Sequence, residues 1–189
     1  SVIAARGATA TALLCLLAAP AVAQAPFSVD DVMSFSFASG LVAAPAGDRV
    51  AWIENREGER NVWIAEGPAW EGRPLTSYSG DDGQELGGLT FSPDGNRVFW
   101  VRGGAPNRQG EVPDPLSTPD EEGRAVWVSE FTGDNTTHIV DSGNFTISPQ
   151  GTHLAYSSGR EIFLLVLGSE MDVERIAKIR GSAGNLTWS

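Results

Sequence analysis

The 189-residue sequence has one cysteine, Cys15, and two histidines, His138 and His153. A single thiol excludes an internal disulfide framework and a cysteine-based zinc site. The histidines form no H-x-x-x-H pair, so no metal site and no cofactor is expected. Both read as structural residues in or beside strands. Basic residues are scarce, with 13 Lys and Arg against 24 Asp and Glu and a net charge of −11. Such a surface repels a phosphate backbone, which argues against nucleic-acid binding. No G-x-S-x-G nucleophile elbow occurs, and Gly87-Gly88 and Gly103-Gly104 lack the spacing of a phosphate loop. No apolar run reaches the roughly 20 residues needed to span a bilayer.

What is present is globular in character, with 41% apolar and 20% charged residues. The 22 glycines and 11 prolines promise frequent turns. Residues 1–23 read as a secretory signal peptide. Arg6 precedes an apolar run from Ala8 to Ala19, centred on Leu13, Leu14, Leu16 and Leu17. Ala21-Val22-Ala23 then offers a cleavage site before Gln24. Cys15 follows the bulky Leu14 and belongs to the signal core. The expectation is an exported protein, periplasmic or extracellular, with no cysteine and no membrane span after processing. Residues 24–39 form a lead-in. It contains a short helix from Phe27 to Phe35, with Ser28 as N-cap, Asp30 and Asp31 in its first turn, and a Phe27–Val32 staple.

The rest repeats. Val42-Ala43-Ala44-Pro45-Ala46-Gly47-Asp48-Arg49-Val50-Ala51-Trp52 is one copy. Leu89-Thr90-Phe91-Ser92-Pro93-Asp94-Gly95-Asn96-Arg97-Val98-Phe99-Trp100 is the second, and Phe145-Thr146-Ile147-Ser148-Pro149-Gln150-Gly151-Thr152-His153-Leu154-Ala155-Tyr156 the third. Pro45, Pro93 and Pro149 stand 48 and 56 residues apart. Each copy reads as an inner strand, a turn set by proline and glycine, and an alternating second strand. Third strands follow at 61–65, 125–129 and 161–165, and weaker fourth strands at 73–76, 138–140 and 175–179. Four antiparallel strands per unit of this length describe the blade of a β-propeller. The fold class is therefore all-β, a partial propeller. Blade 1 is expected over 40–86, blade 2 over 87–143 with a long loop at 103–123, and blade 3 over 144–181. Residues 182–189 would open a fourth, with Leu186-Thr187-Trp188-Ser189 matching its inner strand. Closed rings take about four to eight blades, so the expectation is a piece of a longer chain.

Few side chains invite chemistry. Trp52, Trp63, Trp100, Trp127 and Trp188 read as blade-packing residues at equivalent positions. Asp81-Asp82-Gly83-Gln84-Glu85 gathers three carboxylates but lacks the alternation of a calcium loop, and reads as a solvated turn between blades. Glu121 and Glu122, in the proline-rich loop, are the candidates for holding a cation such as a peptide amine, set against a plain charged loop tip. Asn135, Asn144 and Asn185 fit the glycosylation pattern, which matters only in a eukaryotic secretory pathway; the alanine-rich signal has a bacterial look.

Several longer runs resemble the N-terminal propeller of secreted bacterial serine peptidases of the prolyl oligopeptidase family, in its dipeptidyl-peptidase-like branch. They are Ser39 to Trp52, Arg60 to Pro68, Leu75 to Leu86, Val101 to Gly104 and Ala125 to Val128. The likeness extends from Phe27 to Ser189. It implies a parent of seven or eight blades followed by an α/β-hydrolase domain carrying a Ser-Asp-His triad. The blades would gate access for short peptide substrates, and no catalytic residue would lie in this chain. The family's glutamate pair, which holds the substrate amine, is not carried to Glu121 and Glu122, because the surrounding sequence differs. The Ser-Pro-Asp-Gly hairpin is shared with TolB-type propellers. A non-catalytic periplasmic protein-binding propeller is therefore the alternative.

Overall fold

The computed structural model describes residues 28–109, 111, 123–168 and 171–189. It opens on a five-residue helix, α1 (Val29–Met33). Ser28 caps it: its hydroxyl accepts from the Asp31 backbone N–H, while the Asp31 carboxylate accepts from the Ser28 backbone N–H. These hydrogen bonds hold the Asp31 carboxyl below its ordinary range. Phe27, the other half of the expected staple, lies outside the described residues.

Among the described residues, twelve strands follow in three four-stranded antiparallel sheets. Blade 1 is β1 (Phe37–Ala43), β2 (Arg49–Arg56), β3 (Glu59–Glu66) and β4 (Arg73–Pro74). Blade 2 is β5 (Leu86–Phe91), β6 (Arg97–Arg102), β7 (Ala125–Glu130) and β8 (Thr137–Val140). Blade 3 is β9 (Phe145–Ile147), β10 (His153–Ser158), β11 (Glu161–Val166) and β12 (Val173–Lys178). Each sheet is a plain meander in chain order. Residues 182–189 carry no strand, and Trp188 is exposed. Strand geometry needs a paired neighbour, and none of the described residues pairs with this segment.

The hairpin turns explain the repeated Ser-Pro. Ser92 and Ser148 are buried. The Ser92 hydroxyl accepts from the Arg97 backbone N–H, and that of Ser148 accepts from the His153 backbone N–H. The buried hydroxyl thus satisfies the first donor of the second strand. Gly95 has φ 71° and Gly151 φ 70°, the left-handed corner this turn requires.

Strand alternation builds the core. On β6, Val98 and Trp100 pack toward blade 1, joining Ala51, Val62, Ile64 and Leu75. Phe99 and Val101 point the other way, meeting Leu154 and Leu165 of blade 3. β7 does the same, with Trp127 toward blade 1 and Val126 and Val128 toward blade 3. Blade 2 is covered on both faces, so β6 is buried along most of its length.

Each blade also carries an aromatic pair in register between its second and third strands: Trp52–Trp63, Trp100–Trp127 and Tyr156–Phe163. Trp100 and Tyr156 lie on the side of the preceding blade. Trp52 and Trp63, centroids 6.2 Å apart, lie on the opposite face of β2 and β3 from the blade 2 contact and are only half-buried. Trp188 does not belong to this set. It aligns with the inner-strand Phe91.

Candidate functional site

Antiparallel meanders sort their connections to two ends. The hairpin turns and the β3–β4, β7–β8 and β11–β12 loops collect at one end. The connections between blades and the β2–β3, β6–β7 and β10–β11 loops collect at the other. The longest connection in the chain, 103–124, springs from this second end. Glu121 and Glu122, the candidate amine-binding pair, lie outside the described residues.

The second end is built from polar side chains that lock the blades together. Asn61, on β3, holds the chain after blade 1. Its Nδ2 donates to the Tyr78 carbonyl at 2.9 Å, and its Oδ1 accepts from the Tyr78 N–H at 2.8 Å. Tyr78 is thereby fixed beneath blade 2. Its hydroxyl accepts from Trp100 Nε1 at 3.2 Å, and its ring lies 4.6 Å from the Arg102 guanidinium carbon. Arg102 Nη2 reaches Asp82 Oδ2 at 2.6 Å, in a pair largely shielded from solvent.

Asp82 is therefore less solvated than its sequence implies, while Asp81 stays exposed, as expected of a solvated turn. Asp82 Oδ1 accepts from the Gln84 N–H at 2.9 Å, and Asp81 Oδ1 accepts from the Gly83 N–H at 3.1 Å. Asp81 also stands 3.5 Å from Arg60 Nη1. These carboxylates serve arginines and turn N–H groups. Among the described residues no group of three or more His, Cys, Asp or Glu could hold a metal ion.

Beyond the Arg102 pair, an open cleft of about 390 Å³ is lined by Tyr78, Arg102, Gly123, Trp127, His138 and Asp141. His138 Nε2 lies 2.8 Å from Asp141 Oδ1, and its ring meets Trp127 edge-on at 5.4 Å. His138 is thus partnered as the sequence indicates, though it is exposed. His153 is paired locally, its Nδ1 2.8 Å from Thr152 Oγ1. Burial, reinforced by the Asp141 carboxylate, pushes the Tyr156 phenol above its ordinary pKa.

A second cleft of about 410 Å³ adjoins the first at Gly123 and Asp141. Its lining includes Arg124, Ser142, Gly143, Asn144 and Ser157. Asn144 Nδ2 donates to Ser157 Oγ at 2.9 Å and to the Ala183 carbonyl at 2.8 Å. An amide so engaged is a poor glycan acceptor. Arg124 lies directly against Gly143: a β-carbon at 143 would sit 2.1 Å from Arg124 Nε. Two buried side-chain polar atoms lack a hydrogen-bond partner among the described residues, Gln84 Oε1 and Arg124 Nε, and both lie at this end. Sequence reading missed Arg124, because a basic residue at the foot of a strand looks like an ordinary edge charge.

The fold so assembled is that of a β-propeller, present as three consecutive blades. No family model matches the sequence, and no curated protein matches it. Among solved structures, TolB from Acinetobacter baumannii aligns over 75% of this chain and 32% of its own, at 14% identity and a TM-score of 0.50. A protein described as TolB from Agrobacterium tumefaciens aligns over 79% of this chain and 51% of its own, at 18% identity and a TM-score of 0.48. A structure from a study of two prolyl endopeptidases aligns over 79% of this chain and 30% of its own, at 11% identity and a TM-score of 0.34. At such identities the first likeness establishes the fold alone. The chain spans about a third of the Acinetobacter protein's length. No helix among the described residues is long and apolar enough to cross a membrane.

Proposed function

We propose that the chain is the substrate-gating propeller portion of an exported serine peptidase that hydrolyses short peptides. The carrying observation is the asymmetry of the blades. One end carries the hairpin turns and a cleft of about 240 Å³ between the β7–β8 and β11–β12 loops. The other gathers the longest connection, two adjoining and larger clefts whose linings include polar side chains, and both buried polar atoms that lack a partner among the described residues. A gate needs such an end, facing the chemistry and offering polar contacts to a peptide on its way in. The peptidase-like runs quoted from the sequence support the same reading, as does the signal-like stretch at 1–23 for export.

The chemistry itself would lie in an α/β-hydrolase domain outside this sequence. There a serine attacks the scissile carbonyl, histidine moves the proton, aspartate orients the histidine, and backbone N–H groups hold the oxyanion. The propeller's part is exclusion. Its ring admits short or unfolded peptides and turns folded proteins away.

The test is to produce the polypeptide from the complete reading frame and treat it with a fluorophosphonate probe. Covalent labelling of one serine beyond Ser189, with hydrolysis of short peptides in preference to folded proteins, is the expected result. An unlabelled product without amidase activity would overturn the reading and leave the TolB-type binding propeller.

A further inference from the structure

We propose that the free face of blade 3 is the docking surface for a fourth blade of the same polypeptide, and that Ile176 is its apolar anchor, seated against Trp188. The inference stands apart from the peptidase reading, since a hydrolase gate and a binding propeller would both need this contact.

The outer strands share a device that simple alternation does not reveal. In blade 2 the ladder pairs Trp127 with His138 and Val126 with Val140, so Ile139 is an extra residue. In blade 3 it pairs Phe163 with Arg175 and Ile162 with Ala177, so Ile176 is extra. In blade 1 Trp63 pairs with Pro74, and the backbone N–H groups of Leu75 and Thr76 both donate to the Val62 carbonyl, at 2.7 and 3.3 Å. Each outer strand thus bulges beside the same aromatic position of the third strand, and each bulge carries a Leu or Ile. A bulge takes its extra residue out of the ladder and re-aims the side chain.

The first two bulge residues serve the following blade. Leu75 is 7% exposed and joins the cluster between blades 1 and 2, together with Phe91 of the inner strand β5. Ile139 packs against the cluster between blades 2 and 3, as does Ile147 of the inner strand β9. Ile176 holds the third such place but is 53% exposed. Trp188, which aligns with Phe91 and Ile147, is 36% exposed.

The face around Ile176 has the chemistry of a junction. Ile162 and Leu164 are half-buried there, whereas Val62 and Ile64, at the same places in blade 1, are fully buried. Val166 is exposed where blades 1 and 2 carry Glu66 and Glu130. The last repeat of a stacked array needs a polar outer face, and this face is aliphatic. Two successive junctions share one architecture, and its continuation defines the occupant: a blade whose inner strand starts at Leu186-Thr187-Trp188-Ser189.

Hydroxyl-radical footprinting of the polypeptide from the complete reading frame, read residue by residue by mass spectrometry, tests this. Ile176 and Trp188 are expected to be as protected as Leu75 and Phe91, at every protein concentration. Ile176→Ala should raise the labelling of Trp188 several-fold and leave that of Phe91 unchanged. Reactive Ile176 and Trp188 in the unaltered protein overturn the docking and leave the face to an external partner. Protection that vanishes on dilution assigns the face to a second copy and overturns the fourth blade as occupant. Trp188 still protected in the Ile176→Ala protein overturns the anchor. The docking is decided on the unaltered protein, whatever the variant does to folding.

Discussion

Arg49 donates from Nη1 to the carbonyl oxygen of Gly95 at 3.0 Å, so the hairpin turn of blade 1 holds that of blade 2. One repeat later, Arg97 donates from Nη2 to the carbonyl oxygen of Gly151 at 3.1 Å. Both arginines stand two places after a turn glycine, so the repeat in sequence is also a repeat of this clasp. In the third hairpin that place belongs to His153.

The two clasps differ in strength, which gives a first prediction. Arg49 also meets Glu66 at 2.7 Å and Asn96 Oδ1 at 2.8 Å, and lies 4.5 Å from the Phe131 ring centroid. Arg97 has fewer partners, with Phe99 at 5.8 Å. Arg49→Ala should cost about 1–2 kcal/mol, and Arg97→Ala less. Urea unfolding of both variants gives the order, and a reversed order would contradict the assignment.

Phe99 and Trp100 are neighbours in sequence but belong to different junctions. Both are fully buried, Trp100 against blade 1 and Phe99 against blade 3. Truncation of either to Ala should cost about 3–5 kcal/mol. Hydrogen exchange separates them. Trp100→Ala should loosen β2 and β3 first, and Phe99→Ala should loosen β10 and β11 first. Identical patterns would mean that the two faces of β6 are not independent.

Asp94 gives a pH dependence. Donation from the Ser92 hydroxyl, then from the Asn96 N–H, holds its carboxyl below the ordinary value. A lowered folded pKa stabilises the protein above the unfolded value near 4, and the contribution is lost as pH falls through the folded one. Asp94→Asn should therefore be less stable at neutral pH, and the difference should close in acid. Chemical unfolding at neutral and acid pH measures it. A gap that widens in acid would be the wrong sign.

The Asp82–Arg102 pair sits at the proposed functional end and is largely shielded. Asp82→Asn should cost about 1–3 kcal/mol and disturb Tyr78, which lies beneath Arg102. Millimolar calcium should leave the melting temperature unchanged, since Asp82 is committed to Arg102 and to the Gln84 N–H. A calcium-dependent rise would contradict that geometry.

Much of the fold was legible because propeller strands obey a short-range rule. The second and third strands lie within a residue or two of their expected places, since alternation and tight turns fix them locally. The fourth strands are less well marked. β4 is only Arg73–Pro74 because proline offers no donor to the ladder, and β12 begins at Val173, before its expected start. Leu186 to Ser189 has the residues of an inner strand but no partner among the described residues. The site was least legible. Arg124 packs against Gly143, a glycine in the lead-in to the next blade, and only the folded chain brings the two together. Tyr78 gains its place from Asn61 in the same way.

Whether these blades serve a hydrolase can be read from the coding DNA downstream of Ser189. A gating propeller of a serine peptidase requires about four or five further blades there, then a G-x-S-x-G elbow with aspartate and histidine following in that order. A stop codon soon after the last blade, with no hydrolase pattern before it, would leave a binding propeller and contradict the peptidase reading.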